Sequence, residues 1–313
     1  MQWFSQAPAN IALIKYMGKI DHETNEPANA SLSYTLPHLQ SYVVLESTDT
    51  QDSWEPLSLP GLIKPIFNEH AKTRFLKHLT LIKKHFGYNG YFKVRSANNF
   101  PHGTGLASSA SSFAALTQCA VQACCELMQI KRPTIEAQAA LSRQGSGSSC
   151  RSFFAPWALW ETTTARAVAL PYSTLIHQVI LIDTDEKKVS SSEAHQRIKT
   201  SPLYAERPIR AQHHLEALLK ALHAEQWYDA YQICWQEFQD MHALFMSSNP
   251  SFTYINAQTN AVLEKINHLW QSLGDGPLIT MDAGPNIHLL YRPDQQELAI
   301  QFKHEFFNEY VIL

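Results

Sequence analysis

Four short segments hold residues whose types and spacing suit the handling of anions. In Pro101-His102-Gly103-Thr104-Gly105-Leu106-Ala107-Ser108-Ser109-Ala110, two glycines precede a small-residue helix. The glycines let the backbone approach a ligand closely, and the helix start offers unpaired N–H groups. Ser108 and Ser109 add hydroxyls in or near the first turn, a set suited to phosphate oxygens. The loop is not a Walker A sequence, since no Gly-Lys-Ser/Thr follows, and Ser108 stands where a dinucleotide fingerprint has its third glycine. The second segment, Gly145-Ser146-Gly147-Ser148-Ser149-Cys150-Arg151-Ser152, can present amides and hydroxyls to an oxyanion. Its Arg151 contributes a planar, permanently charged fork suited to carboxylate or phosphate. The plain alternative is a flexible Gly/Ser linker. It is weakened by the helical pattern before the segment and the aromatic-rich FFAPWALW after it. The third segment, Lys15-Tyr16-Met17-Gly18-Lys19, offers two ammonium groups beside an apolar strand. In the fourth, Asp282-Ala283-Gly284-Pro285-Asn286, the carboxylate either shapes a turn or serves as a general base facing a cationic pocket.

The elements that must position these segments follow from periodicity. PANIALI (8–14) and SYVVLES (41–47) read as strands, and GYFKVR (90–95) alternates like one. Residues 69–86 repeat apolar positions at helical spacing, with Gly87 as C-cap. A small-residue helix is expected from about 106 to 129, and Pro133-Thr134 opens another that ends near Gly145. HQVILID (177–183) reads as a buried strand. Helical patterns then run over 209–222, 226–246 and 254–273, and PLITM and IHLLY form strands around the Asp282 turn. Residues 294–307 read as a helix and EYVIL as a closing strand. This predicts an α+β chain with two domains, 1–186 and 187–313.

Composition narrows the class. The chain has 313 residues, 45% hydrophobic and 17% charged, enough to bury a core without disulfides or metal staples. A formal net charge of -3 gives no general reason to expect nucleic acid or an anionic membrane as partner. Five cysteines, without any Cys-x-x-Cys, read as buried reduced thiols. The fifteen histidines include no His-Glu-x-x-His, so no protein-ligated metal is expected. The opening MQWFSQAPANIALIKYMGKID lacks the basic leader and long apolar core of a signal peptide, and no apolar run reaches the roughly 20 residues of a membrane span. The cytoplasm is the expected location.

In this order and with these gaps, the four segments resemble the GHMP kinase superfamily and, within it, the mevalonate diphosphate decarboxylase family. The similar stretches are Ala7-Pro8-Ala9-Asn10-Ile11-Ala12-Leu13-Ile14-Lys15-Tyr16, Asn98-Asn99-Phe100-Pro101 through Ala110, Arg143 with Gly145 to Ser152, Lys188-Val189-Ser190-Ser191, and Met281 to Asn286. They run from about residue 5 to 292. The ATP loop is shared widely among GHMP kinases, whereas Lys-Tyr-x-Gly-Lys, Gly-Ser-Gly-Ser-x-Cys-Arg and Asp-Ala-Gly-Pro-Asn are far more specific. Departures cluster beside the expected substrate pocket. Met17 stands for the usual Trp, Ile20 for Arg, Glu26 for Leu, Ala30 for Ser, and Ala194-His195 for Gly-Met.

The resemblance implies a two-domain GHMP kinase fold, with an N-terminal domain like ribosomal protein S5 domain 2, a ferredoxin-like C-terminal domain and the site between them. It implies ATP with Mg²⁺, a homodimer, and conversion of mevalonate 5-diphosphate to isopentenyl diphosphate, CO₂, ADP and phosphate. Carried over residue by residue, it makes Asp282, Lys15 and Arg151 catalytic. Tyr16, Lys19, Ser146, Gly147, Ser148, Arg151 and Ser191 would bind substrate. Asn98, Gly103, Gly105, Leu106, Ala107, Ser108, Ser109 and Lys188 would bind the nucleotide. The rival readings are a GHMP small-molecule kinase, a decarboxylase of a differently phosphorylated mevalonate, and a non-catalytic ligand sensor. Release of CO₂ and an alkene, rather than ADP alone, separates the decarboxylase from a kinase.

Overall fold

The computed structural model describes residues 1–64, 68–101, 108–183 and 188–313. In chain order the first half gives β1 (Gln2–Ala12), β2 (Lys19–Asp21), β3 (Glu26–Pro27), β4 (Ser31–Thr48), β5 (Ser53–Pro56), α1 (Glu69–Phe86), β6 (Tyr91–Asn98), α2 (Ser108–Met128) and α3 (Ile135–Gly145). A 3₁₀ helix (Gly147–Phe153), β7 (Trp157–Glu161) and β8 (Thr164–Val168) follow. The 18-residue β4 is the organiser: β1 pairs antiparallel along it, and β6 and β7 take its two ends. A register shift between Pro8 and Ala9 bends β1.

Helices α1, α2 and α3 pack on this sheet. Helix α1 forms as its periodicity predicts. The Asn68 side chain accepts the Ala71 N–H, and Gly87 closes the helix at φ 69°, a left-handed conformation that favours glycine. The small side chains of α2, among them Ala110, Ala114, Ala115, Cys119 and Ala123, are fully buried and let its backbone lie close to β1 and β4.

The second half comprises β9 (Ile176–Leu181), α4 (Ser191–Arg197), α5 (Arg207–His223), α6 (Trp227–Met246), α7 (Ala257–Leu273), β10 (Leu278–Met281), β11 (Ile287–Tyr291), α8 (Gln296–Phe306) and β12 (Val311–Ile312). Its sheet runs β10-β11-β9-β12, antiparallel throughout. The α+β class is thus borne out. The strand HQVILID pairs in this second sheet, so the chain passes between the sheets at 169–175, upstream of a boundary at residue 186. The first strand also begins earlier than 8–14 suggests and ends at Ala12, because the N–H groups of Leu13 and Ile14 both turn to the Leu32 carbonyl.

One hydrophobic core joins the halves. Ile11, Leu13, Leu32, Tyr34 and Trp157 from the first pack with Val179, Leu218, Phe238, Leu289 and Phe302 from the second. Polar links cross the same seam. Thr280 Oγ1 donates to the Ala12 carbonyl at 3.3 Å, and the Leu175 N–H donates to the Tyr34 hydroxyl at 2.7 Å. Three histidines also form a chain there, with His38 Nε2 3.1 Å from His177 Nδ1 and His177 Nε2 2.9 Å from His288 Nδ1. No helix among the described residues is long and apolar enough to cross a membrane.

Candidate active site

A cleft of about 410 Å³ opens where the end of β1, the start of α2, the 3₁₀ helix, α4 and the β10–β11 turn converge. It is lined by Lys15, Tyr16, Lys19, Ser108, Ser109, Ser146, Gly147, Ser148, Arg151, Ser191 and Asp282, so the structure gathers eleven of the expected residues in one place. Gly103, Gly105, Leu106 and Ala107 lie outside the described residues. Two expected residues do not line the cleft. Lys188 is exposed. Asn98 is buried, and its Oδ1 accepts from Ser41 Oγ, which also meets Ser111 Oγ on α2 at 2.7 Å. Through Ser41, the Asn98 Oδ1 thus links β6 to the first turn of α2. A second groove, of about 470 Å³, runs between α6 and α7, but its aromatic and amide lining includes no charged residue to suit an anion.

The floor of the cleft is an ion pair across the two halves. Lys15 Nζ lies 2.7 Å from Asp282 Oδ1, with the lysine side chain 2% and the carboxylate 27% exposed. Burial alone would push the Asp282 carboxyl up, but Lys15, His288 and Arg151 outweigh it and hold the group below the usual carboxylate range. Burial draws Lys15 below the ordinary lysine value, opposed by Asp282. The turn alternative for Asp282 does not describe this geometry. The turn bond runs from the Gly284 N–H to the Asp282 carbonyl, while the side chain is committed to Lys15.

Beneath Lys15 lies a fully buried Glu237 on α6, which accepts the Lys15 backbone N–H at 2.9 Å. Arg207, also fully buried, donates to both Glu237 and Asp240. This second layer escapes a search for binding motifs. Its signal is a charge on the apolar stripe of α6, among Ala230, Cys234, Phe238 and Met241. A charge there is uneconomical unless paired.

The Gly/Ser segment is a packed 3₁₀ helix, not a linker. A Cβ on Gly147 would lie 2.6 Å from the Tyr16 ring, and one on Gly145 2.4 Å from Phe113, so close approach explains both glycines. Arg151 differs from the expected open fork. Its Nε donates to Asn10 Oδ1 at 3.0 Å and its Nη1 to Ser31 Oγ at 2.8 Å. Protein thus engages Nε and Nη1 of a side chain that lines the cleft. The guanidinium also lies over Trp160, 5.8 Å from the ring centroid.

Lys19 and Arg74 complete the cationic wall. Lys19 Nζ donates to Asn25 Oδ1 at 2.6 Å, and burial together with Arg74 lowers its pKa to about 8. Arg74 was not singled out by sequence, because a single arginine on an amphipathic helix carries no motif. It is fixed by Nη2 donating to the Gly145 carbonyl at 2.8 Å.

Comparisons with known proteins cover nearly the whole chain. A family model described as "Diphosphomevalonate decarboxylase-like N-terminal domain" matches residues 7–170, and "Mevalonate 5-diphosphate decarboxylase C-terminal domain" matches 178–311. The chain is 31% identical to the diphosphomevalonate decarboxylase of Saccharomyces cerevisiae, over 96% of this chain and 80% of the yeast protein. A mevalonate diphosphate decarboxylase from Legionella pneumophila superposes with a TM-score of 0.94 at 53% identity, covering 100% of both chains. A structure of MDDEF in complex with MVAPP, AMPPCP and magnesium superposes at 0.85 with 28% identity, covering 100% of this chain and 96% of that one.

Proposed function

The chain belongs to the diphosphomevalonate decarboxylase family, and on that premise we propose that it converts mevalonate 5-diphosphate and ATP to isopentenyl diphosphate, CO₂, ADP and phosphate. The observation that carries this reading is the Lys15–Asp282 pair on the floor of a cleft walled by Lys19, Arg74 and Arg151. Such a wall answers a substrate with one carboxylate and one diphosphate, beside a triphosphate donor. Ser108 and Ser109 at the start of α2 suit the nucleotide's phosphates.

The donor set also fits magnesium carried on those phosphates. Among the described residues no group of three or more His, Cys, Asp or Glu forms a metal cluster, and Asp282 is the one carboxylate in the cleft lining. A hard cation here would take oxygen from phosphates, serine hydroxyls and water, and would supply charge neutralisation.

The chemistry follows from the substrate. The C3 hydroxyl is tertiary and leaves poorly, so it is first phosphorylated. Lys15 occupies Asp282 Oδ1, which leaves Oδ2 for the hydroxyl proton. As a carboxylate held below its usual pKa, Asp282 works through placement rather than basicity. The C3–O bond then breaks with both electrons going to phosphate. The bond between C2 and the carboxylate carbon supplies the pair that becomes the C2–C3 alkene, and CO₂ departs. Lys15 and Arg151 stabilise the accumulating negative charge without reorganising, since both are anchored in advance.

A homodimer in the cytoplasm is the assembly and location that accompany this reading; light scattering of the purified protein tests the first. The activity is tested with mevalonate, its 5-phosphate and its 5-diphosphate, each labelled at the carboxylate and supplied with ATP-Mg²⁺. Labelled CO₂ from the diphosphate alone is the expected result. ADP without CO₂ would make the protein a kinase.

A further inference from the structure

We propose that His195 is a positioning residue, a fixed imidazole from the second half of the chain that sets the Tyr16–Lys19 segment for substrate binding. This rests on the decarboxylase reading. The segment Lys15 to Gly18 lies between β1 and β2, outside any strand. Gly18 takes φ +112°, and a Cβ there would meet Ala28 and the Tyr204 ring at 3.1 Å, so the turn is both left-handed and tightly enclosed. Its N–H donates across the cleft wall to His195 Nδ1 at 3.0 Å, in a bond buried from solvent. The same imidazole lies against the Tyr16 ring, with centroids 4.6 Å apart. His195 itself lines the cleft and is only 5% exposed.

Accepting an N–H requires a lone pair on Nδ1, so the proton of the neutral ring sits on Nε2. Burial, with Lys19, His22 and Lys199 nearby, holds the ring well below the usual histidine pKa, so the acceptor persists under mildly acidic conditions. Helix α4 thereby fixes, from the opposite half, the residue between the Tyr16 ring and the Lys19 ammonium that face the substrate.

Two substitutions separate the functions of the ring. Asn places its Oδ1 two bonds from Cβ, as histidine places Nδ1, so H195N keeps the acceptor and loses the ring. H195F keeps a ring and loses the acceptor. For H195F we expect a roughly tenfold higher KM for mevalonate 5-diphosphate, equivalent to about 1.4 kcal/mol, with kcat and the KM for ATP within about threefold of wild type. For H195N the expected KM lies within about threefold of wild type. An unchanged KM in H195F, or an H195N as impaired as H195F, overturns the inference. Should H195F fail to fold, H195N alone decides, and a tenfold rise in its KM counts against the acceptor role. If the wild-type protein releases no CO₂ from mevalonate 5-diphosphate, the decarboxylase reading fails before His195 is tested.

Discussion

At the residue scale, burial disfavours the charge of both Asp282 and Lys19, but cations outweigh it at Asp282 whereas Arg74 adds to it at Lys19. Asp282→Asn keeps an oxygen for Lys15 but removes the proton acceptor, so CO₂ release should fall by ~10²–10⁴. The substitution also leaves a lysine with a 2% exposed side chain beside a neutral partner. A stability loss of roughly 1–3 kcal/mol should accompany it, less than for a fully enclosed pair because the carboxylate reaches solvent. Denaturant melts beside the CO₂ assay check both, and wild-type turnover in the variant would remove Asp282 from the chemistry.

Lys19 is expected to appear in the pH profile. Its pKa of about 8 means that it is cationic below that pH and neutral above it. For the free enzyme, kcat/KM should therefore decline as pH rises through about 8, and Lys19→Arg, which stays charged, should flatten that limb. The reactive residues were legible through the family resemblance that their four segments carry together, since each segment alone also allowed a plain structural reading. Asn10 and Glu237 were not singled out as supports, because each acts through a partner more than a hundred residues away, and Arg207 acts in turn on Glu237.

At the element scale, the 3₁₀ helix after α3 shows how a polar, glycine-rich stretch becomes a rigid wall. Ser142 and Ser149 hydroxyls meet at 2.7 Å, Ser149 Oγ donates to the Ser146 carbonyl, and Gly147 lies against Tyr16. Gly147→Ala should displace the Tyr16 ring, with a cost of ~1–3 kcal/mol from overpacking and a raised KM for mevalonate 5-diphosphate. Thermal melting and substrate titration would measure both, and a variant matching wild type in each would show that the ring yields freely. Helices α1, α5, α6 and α7 were readable because their apolar periodicity is long, and α3 because Pro133-Thr134 marks its start and Gly145 its end. The short β2, β3 and β5 were not, since two to four residues carry no period, and their pairing is decided by β4, β6 and the Lys19 turn.

At the scale of the molecule, acid should unfold the protein through its enclosed histidines. Burial drives His78 and His242 down to about 3, and His195 well below 6.5. Their folded pKa values lie below the unfolded ones, so the unfolded chain binds more protons as pH falls below about 6.5. Stability should be full above that pH and decline from about 6.5 toward 3, by up to ~1.4 kcal/mol per pH unit for each histidine. Urea midpoints at pH 7.5, 6.5 and 5 should differ little between the first two and sharply at the third; a flat series would mean that the rings are hydrated. The seam between the sheets was the least legible feature, because β9 looks like any buried strand and only its partners reveal which sheet it joins. That seam bears on ancestry. Where Ile11, Leu32 and Trp157 share one interior with Val179, Phe238 and Phe302, neither half is a module that recombination could exchange freely. A chimaera spliced at 169–175 with a distant relative would inherit mismatched interior faces and an ammonium whose carboxylate was shaped by another lineage. The two halves of such a chain are therefore expected to change together, one compensating substitution at a time.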